Sequence, residues 1–245
     1  AEKMAGHFDK RQHIDFDEFV DDEDHDNIST PDTVTPRKNY IRWSPAFKQA
    51  RSAAKEGRFD EALKLYKNEA DKGNALARYE IGDLYRREIV NGSDANIQFK
   101  TALEGFLEVE TKMKLKAYIQ YRIGRMYYDG YGTERDYTEA FQWLKKAADG
   151  GNHYAEFTVG KMLLHGQGVK KDSDLAAEYL KKASDVISSA FVTLGKIYTS
   201  KDEPVMRNKA IDCFSKAAAL GSANGAYNLY ITYRDSKTLQ RKAVD

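Results

Sequence analysis

Residues 116–151 read KAYIQYRIGRMYYDGYGTERDYTEAFQWLKKAADGG. Apolar and small residues recur there at helical spacing, as in Ala140, Trp143, Leu144 and Ala147. A strand would alternate at every second residue. The stretch therefore reads as two helices with a glycine-punctuated loop, Gly130-Tyr131-Gly132, between them. Neither helix alone buries its apolar stripe, so the pair must stack on further pairs.

Working outward, the first helix of this pair recurs as NALARYEIGDLY (74–85), NHYAEFTVGKML (152–163), ISSAFVTLGKIY (187–198) and SANGAYNLYITY (222–233). Gly82, Gly124, Gly160 and Gly195 fall at one equivalent position, which Tyr230 takes in the last copy. The second helix recurs as EALKLYKNEADKG (61–73), TALEGFLEVETK (101–112), AAEYLKKASD (176–185) and KAIDCFSKAAALG (209–221), with Ala62, Ala102, Ala140, Ala176 and Ala210 equivalent. A glycine inside a helix costs roughly 1 kcal/mol relative to alanine. Its recurrence predicts a neighbouring helix approaching closely, with the equivalent alanines at the crossing. Tyr230 then fits a terminal copy that no following helix approaches. Asp136 and Asp172 stand near second-helix starts, and Gly73, Gly151 and Gly221 sit where second helices end, as left-handed caps do. Ser44-Pro45 opens a further first helix running to Glu56. The expected fold is all-α: a right-handed α-solenoid of antiparallel helix pairs, six first and five second helices between residues 44 and 236.

The charge is nearly balanced overall, at 39 Lys+Arg against 38 Asp+Glu, which gives no nucleic-acid or membrane signal. It is uneven along the chain. Residues 1–39 carry a net −6 and residues 40–245 a net +7. The expected organisation is an acidic N-terminal extension (1–39), a helical repeat domain (40–236) and a C-terminal tail (237–245). The sequence does not begin with Met, consistent with a processed form or a fragment. A single cysteine, Cys213, excludes an intrachain disulfide and fits a reducing, cytoplasmic setting. It falls on the apolar side of its helix, as a packed thiol does. No apolar run reaches the roughly 18 residues of a membrane span.

The pattern Ala-x-x-x-(Leu/Ile/Val)-Gly-x-Met-Tyr-x-x-Gly-x-Gly, then Asp, then Ala-x-x-(Trp/Tyr)-Leu-x-Lys-Ala-Ala, resembles the Sel1-like repeat, a relative of the tetratricopeptide repeat; a bacterial source is expected. Residues 116–169 carry its full form, and the resemblance spans roughly residues 45–236. It implies a protein-binding scaffold or adaptor, and the lack of catalytic motifs adds the expectation that the chain is not an enzyme. A narrower set, Tyr40-Ile41-Arg42-Trp43-Ser44, Gly73-Asn74-Ala75-Leu76-Ala77 and Gly105-Phe106-Leu107-Glu108-Val109-Glu110, is similar to the C-terminal repeat region of some mobilisation relaxases of Gram-positive conjugative elements. That likeness implies the alternative of an accessory region touching partners or DNA without nicking activity.

For a binding site, the residues three before and one after the repeat glycine share a helix face. In related solenoids the first helices line the concave surface, which makes Tyr79, Tyr121, Arg125, Phe157, Lys161 and Lys196 an aromatic-and-basic stripe suited to an extended, acidic protein or peptide. The competing reading is that the aromatics pack between repeats and the cations are merely solvated. In residues 1–39, Phe8, Ile14, Phe16, Phe19 and Val20 interleave with acids, which suggests self-association through the basic groove of the same or a neighbouring molecule. His7, His13 and His25 match no zinc spacing, and Asp15-Phe16-Asp17 lacks the rest of a calcium loop. No phosphate loop, nucleophile elbow or His/Cys pair is present, so no cofactor is expected. Nucleic acid ranks below protein as a partner, because Lys145, Lys146, Lys181 and Lys182 are diluted by acids.

Overall fold

The structure, a computed structural model, describes residues 40–89, 94–110, 116–184, 186–201 and 203–242, with side chains to residue 235. The acidic segment, its histidines and the self-association attached to it lie outside the described residues.

Eleven α-helices follow one another among the described residues, with no strand between them: α1 (Pro45–Lys55), α2 (Phe59–Asp71), α3 (Ala75–Arg86), α4 (Ala95–Glu110), α5 (Ala117–Asp129), α6 (Tyr137–Asp149), α7 (His153–His165), α8 (Ser173–Ala183), α9 (Ser188–Thr199), α10 (Pro204–Ala219) and α11 (Ala223–Lys242). Odd-numbered helices are the first type and even-numbered helices the second, so the expected six and five are found. Helix α11 continues past residue 236, where the sequence pattern ended.

Local chemistry sets the boundaries. Asp136 and Asp172 cap α6 and α8, their carboxylates accepting from the backbone N–H of Thr138 and Glu139 and of Asp174 and Leu175. Asn74 and Asn152 cap α3 and α7 in the same manner. Gly73, Gly151 and Gly221 take positive φ, at 98°, 84° and 81°, just past the second helices.

The repeat glycines mark close helix approach; the Ala176 carbonyl would lie 3.2 Å from a Cβ on Gly160, but at each notch a leucine or phenylalanine side chain comes nearest. A Cβ on Gly124 would lie 2.6 Å from Leu144 Cγ, one on Gly160 2.8 Å from Leu180 Cγ, and one on Gly195 2.5 Å from Phe214 Cε1. On Gly82 it would meet the Phe99 ring at 3.0 Å. Helical side chains lean toward the helix N-terminus. Leu144, Leu180 and Phe214 therefore reach back over the turns of Ala140, Ala176 and Ala210 and fill the glycine notch themselves. The alanines, fully buried, keep the crossing shallow.

Loop glycines join one pair to the next. Gly132 sits on the backbone of Phe99 and Lys100 in α4, and Gly168 on the Tyr137 carbonyl at the start of α6. The Asn96 amide oxygen accepts from the Gly132 N–H at 2.8 Å, fixing the first of these seats.

At the start of the array Tyr40 runs alongside Asn74, its N–H donating to the Gly73 carbonyl at 3.1 Å and its carbonyl accepting from the Ala75 N–H at 3.0 Å. Glu69, only 2% exposed, gathers this junction. The Ser44 hydroxyl donates to it at 2.6 Å while accepting from the Phe47 N–H as the cap of α1. Lys72 Nζ lies 3.0 Å away, and Asn74 Nδ2 donates to Glu69 and to the Arg42 carbonyl. Burial by itself would raise the Glu69 carboxyl, but Ser44, Lys72 and Asn74 outweigh it and hold it below its ordinary value. A carboxyl depressed in the folded state stabilises fully above its unfolded pKa, and that contribution is lost as pH falls through the folded pKa. Glu69→Gln is therefore expected to cost about 1–2 kcal/mol at neutral pH. In thermal melts the gap to the unmodified protein should close as pH falls from about 5 to 3; a gap independent of pH would remove the ionised carboxylate from this account.

Candidate functional site

Past each repeat glycine, the next residue on the first helices is Asp83, Arg125, Lys161 and Lys196, with Ile231 following Tyr230. These positions, with the residues three before each glycine, form the candidate binding face.

At its N-terminal end this face is occupied by its own side chains. The Arg122 guanidinium on α5 stacks between two rings, 4.2 Å from the centroid of Tyr79 and 4.7 Å from that of Tyr118. It pairs with Glu80 Oε1 of α3 at 2.8 Å and donates to the Tyr118 hydroxyl. Only 11% of the Arg122 side chain and 19% of that of Glu80 are exposed. Burial pushes the Tyr79 and Tyr118 phenols up to about 12, so both remain neutral. Trp43 lies 5.8 Å from Tyr118 and carries Arg51 over its own ring at 4.6 Å, which ties the start of α1 to α5. Tyr79, expected as a contact residue, instead packs on Phe99 at 5.3 Å and Phe106 at 6.4 Å beneath Arg122.

Tyr121 is only 7% exposed, with its ring 6.3 Å from Tyr154 of α7. The two first helices come close enough for their aromatic side chains to fill the seam. Arg125 reaches the surface but is held by Asp129, whose Oδ2 accepts from its Nε at 3.0 Å and from its terminal nitrogen at 2.6 Å. It also lies 5.6 Å from the Tyr128 ring centroid.

The middle of the face is open. Phe157 is half-buried, with Lys161 Nζ 5.6 Å above its ring, and Lys161 and Lys196 are both exposed. Val192, three before the glycine in α9, is buried. The stripe thus shrinks to one aromatic and two lysines on consecutive repeats, with Arg125 at its margin.

Two features escaped the sequence reading. The Glu80–Arg122 pair occupies one repeat position, two before the glycine, with opposite charges in consecutive copies; aligning that column would have exposed it. A cavity of about 350 Å³ opens where α9, α10 and α11 meet, with Thr199, Arg207, Phe214, Asn228 and Asp235 among its walls. Its residues are scattered over three helices, and no local pattern joins them. Burial pushes the nearby Cys213 thiol up to about 11, leaving it protonated. Among the described residues no three His, Cys, Asp or Glu side chains gather as metal ligands, and no helix is long and apolar enough to cross a membrane.

The Sel1 repeat family matches residues 117–152, 153–185 and 199–222. A Sel1 repeat protein from Oxalobacter formigenes is similar over 74% of this chain and 74% of its own, at 26% identity and a TM-score of 0.57. The c5321 protein, a protective antigen of uropathogenic Escherichia coli strains with an SLR fold, is 20% identical over 77% of this chain and 48% of its own, with a TM-score of 0.49. A Sel1 repeat protein from Klebsiella pneumoniae subsp. pneumoniae is 17% identical over 77% of this chain and 91% of its own, with a TM-score of 0.48.

Proposed function

We propose that this chain, a Sel1-repeat protein, holds an extended, acidic segment of a partner protein along the first-helix face of α7 and α9. Sel1 repeats generally serve as non-catalytic scaffolds for protein–protein interaction. The observation that carries the finer reading is the exposure of Lys161 and Lys196 at equivalent positions, one repeat apart, beside the half-buried Phe157. Two cations in register steer and pair with carboxylates, while an aromatic supplies area that water leaves on binding. Arg125 contributes less, because binding would have to compete with Asp129.

The test is an anisotropy titration with a labelled peptide that alternates Glu with Leu and Phe. Lys161→Glu/Lys196→Glu should weaken binding roughly tenfold or more, about 1.4 kcal/mol or above, whereas Tyr121→Phe should leave it unchanged. Equal affinity in all three proteins would sink the groove reading. A duplex DNA probe run alongside addresses the relaxase-like alternative: tighter binding to DNA than to peptide, falling steeply with salt, would favour it.

A further inference from the structure

The last first helix, α11, presents an aromatic face that every other aligned first helix covers. In α3, α5, α7 and α9 the residues four before and three after the repeat glycine are buried or half-buried, as are the glycines themselves. The equivalent residues of α11, Ala226, Tyr230 and Tyr233, are all exposed. Tyr230 is 64% exposed, Tyr233 50%, and the adjacent Tyr227 64%. The glycine position tolerates so little bulk elsewhere that even a Cβ would crowd Leu144, Leu180 or Phe214. A tyrosine there excludes a second helix docking at repeat distance, so this face is built for a different neighbour.

We propose that the neighbour is α11 of a second copy of this chain, crossing antiparallel at Tyr230. The three tyrosines are spaced symmetrically about Tyr230, at −3, 0 and +3. An antiparallel two-fold axis there sets Tyr230 against itself and Tyr227 against Tyr233 of the second copy. Closed isologous contacts of this kind need such a self-complementary patch. The pairing brings no like charges together, because Arg234 falls opposite Ala226 and Asp235 opposite Gly225. Head-to-tail stacking has no such match, since α1 at the other end exposes Lys48, Gln49, Ser52 and Lys55. At roughly 150–250 Å² per aromatic side chain, the three exposed fractions leave on the order of 300–450 Å² per copy. That is below the standard interface of about 800 Å² per partner, which makes the dimer weak and concentration-dependent.

Sedimentation velocity on the full chain, from low micromolar to several hundred micromolar, should show a monomer–dimer equilibrium. Tyr230→Glu should weaken it at least tenfold without changing the thermal melt, since the side chain is largely exposed. Orientation is read by oxidative cross-linking. Tyr230→Cys should link to itself, and Tyr227→Cys should link to Tyr233→Cys when the two are mixed but to neither when alone; the native Cys213, 5% exposed, stays silent. A chain that remains monomeric throughout, or a dimer indifferent to Tyr230→Glu, overturns the proposal. Cross-linking of Tyr227→Cys to itself overturns the antiparallel arrangement.

Discussion

Gly168→Ala is expected to lower the unfolding free energy by about 3–5 kcal/mol. Two penalties coincide. Gly168 has φ +67°, a conformation that costs an L-residue about 1–2 kcal/mol. Its Cβ would also fall on the Tyr137 carbonyl and the Thr138 nitrogen, both backbone atoms that cannot swing aside. Gly166→Ala is the internal control. It shares the backbone conformation at φ +70°, but the nearest atom to its Cβ is 3.5 Å away, an ordinary contact. It should cost only about 1–2 kcal/mol. Urea titrations followed by circular dichroism separate the two variants, and equal losses would mean that the seat on α6 contributes nothing.

The second large effect is electrostatic. Glu80→Ala should destabilise by about 3 kcal/mol, because it leaves Arg122 charged and largely buried between two tyrosines. Replacing both residues in Glu80→Leu/Arg122→Leu should recover most of that loss, since removing a buried pair together is often near neutral. A double-mutant cycle in denaturant reads the coupling between the sites. Additive single losses would show that Glu80 and Arg122 act separately and that ring stacking alone holds the guanidinium.

Much of the fold was legible because each repeat states it again. Ser44-Pro45, Asp136, Asp172 and the glycines after the second helices mark ends by local hydrogen-bonding and φ requirements, which a sequence displays directly. The partner of each repeat glycine was not legible in the same way. Alanine was expected at the crossing, yet Leu144, Leu180 and Phe214 fill the notch because side-chain lean displaces contact by a turn. The candidate site suffered from a related ambiguity. Position three before the glycine holds Tyr79, Tyr121, Phe157, Val192 and Tyr227, and one helical column can face a seam in one repeat and solvent in another. Tyr121 is buried because α7 brings Tyr154 beside it, while Tyr227 is exposed because, among the described residues, nothing equivalent lies over α11. Helical periodicity assigns a face to a residue; only the neighbouring repeat decides whether that face is occupied.

The loop glycines that rest on the preceding pair also set how the array comes apart. In a linear array, stability is a sum of terms intrinsic to each unit and nearest-neighbour coupling terms. Gly132 on α4 and Gly168 on α6 place rigid main chain against rigid main chain, so the couplings from α4 through α8 are expected to be stiff and those units to melt as one block. The turn from α9 to α10 runs through Thr199, Ser200 and Lys201 without a glycine seat of this kind. The seat missing there would join the α9–α10 pair to α8, so that junction is expected to transmit less, and α9, α10 and α11 should fray ahead of the block as a terminal segment.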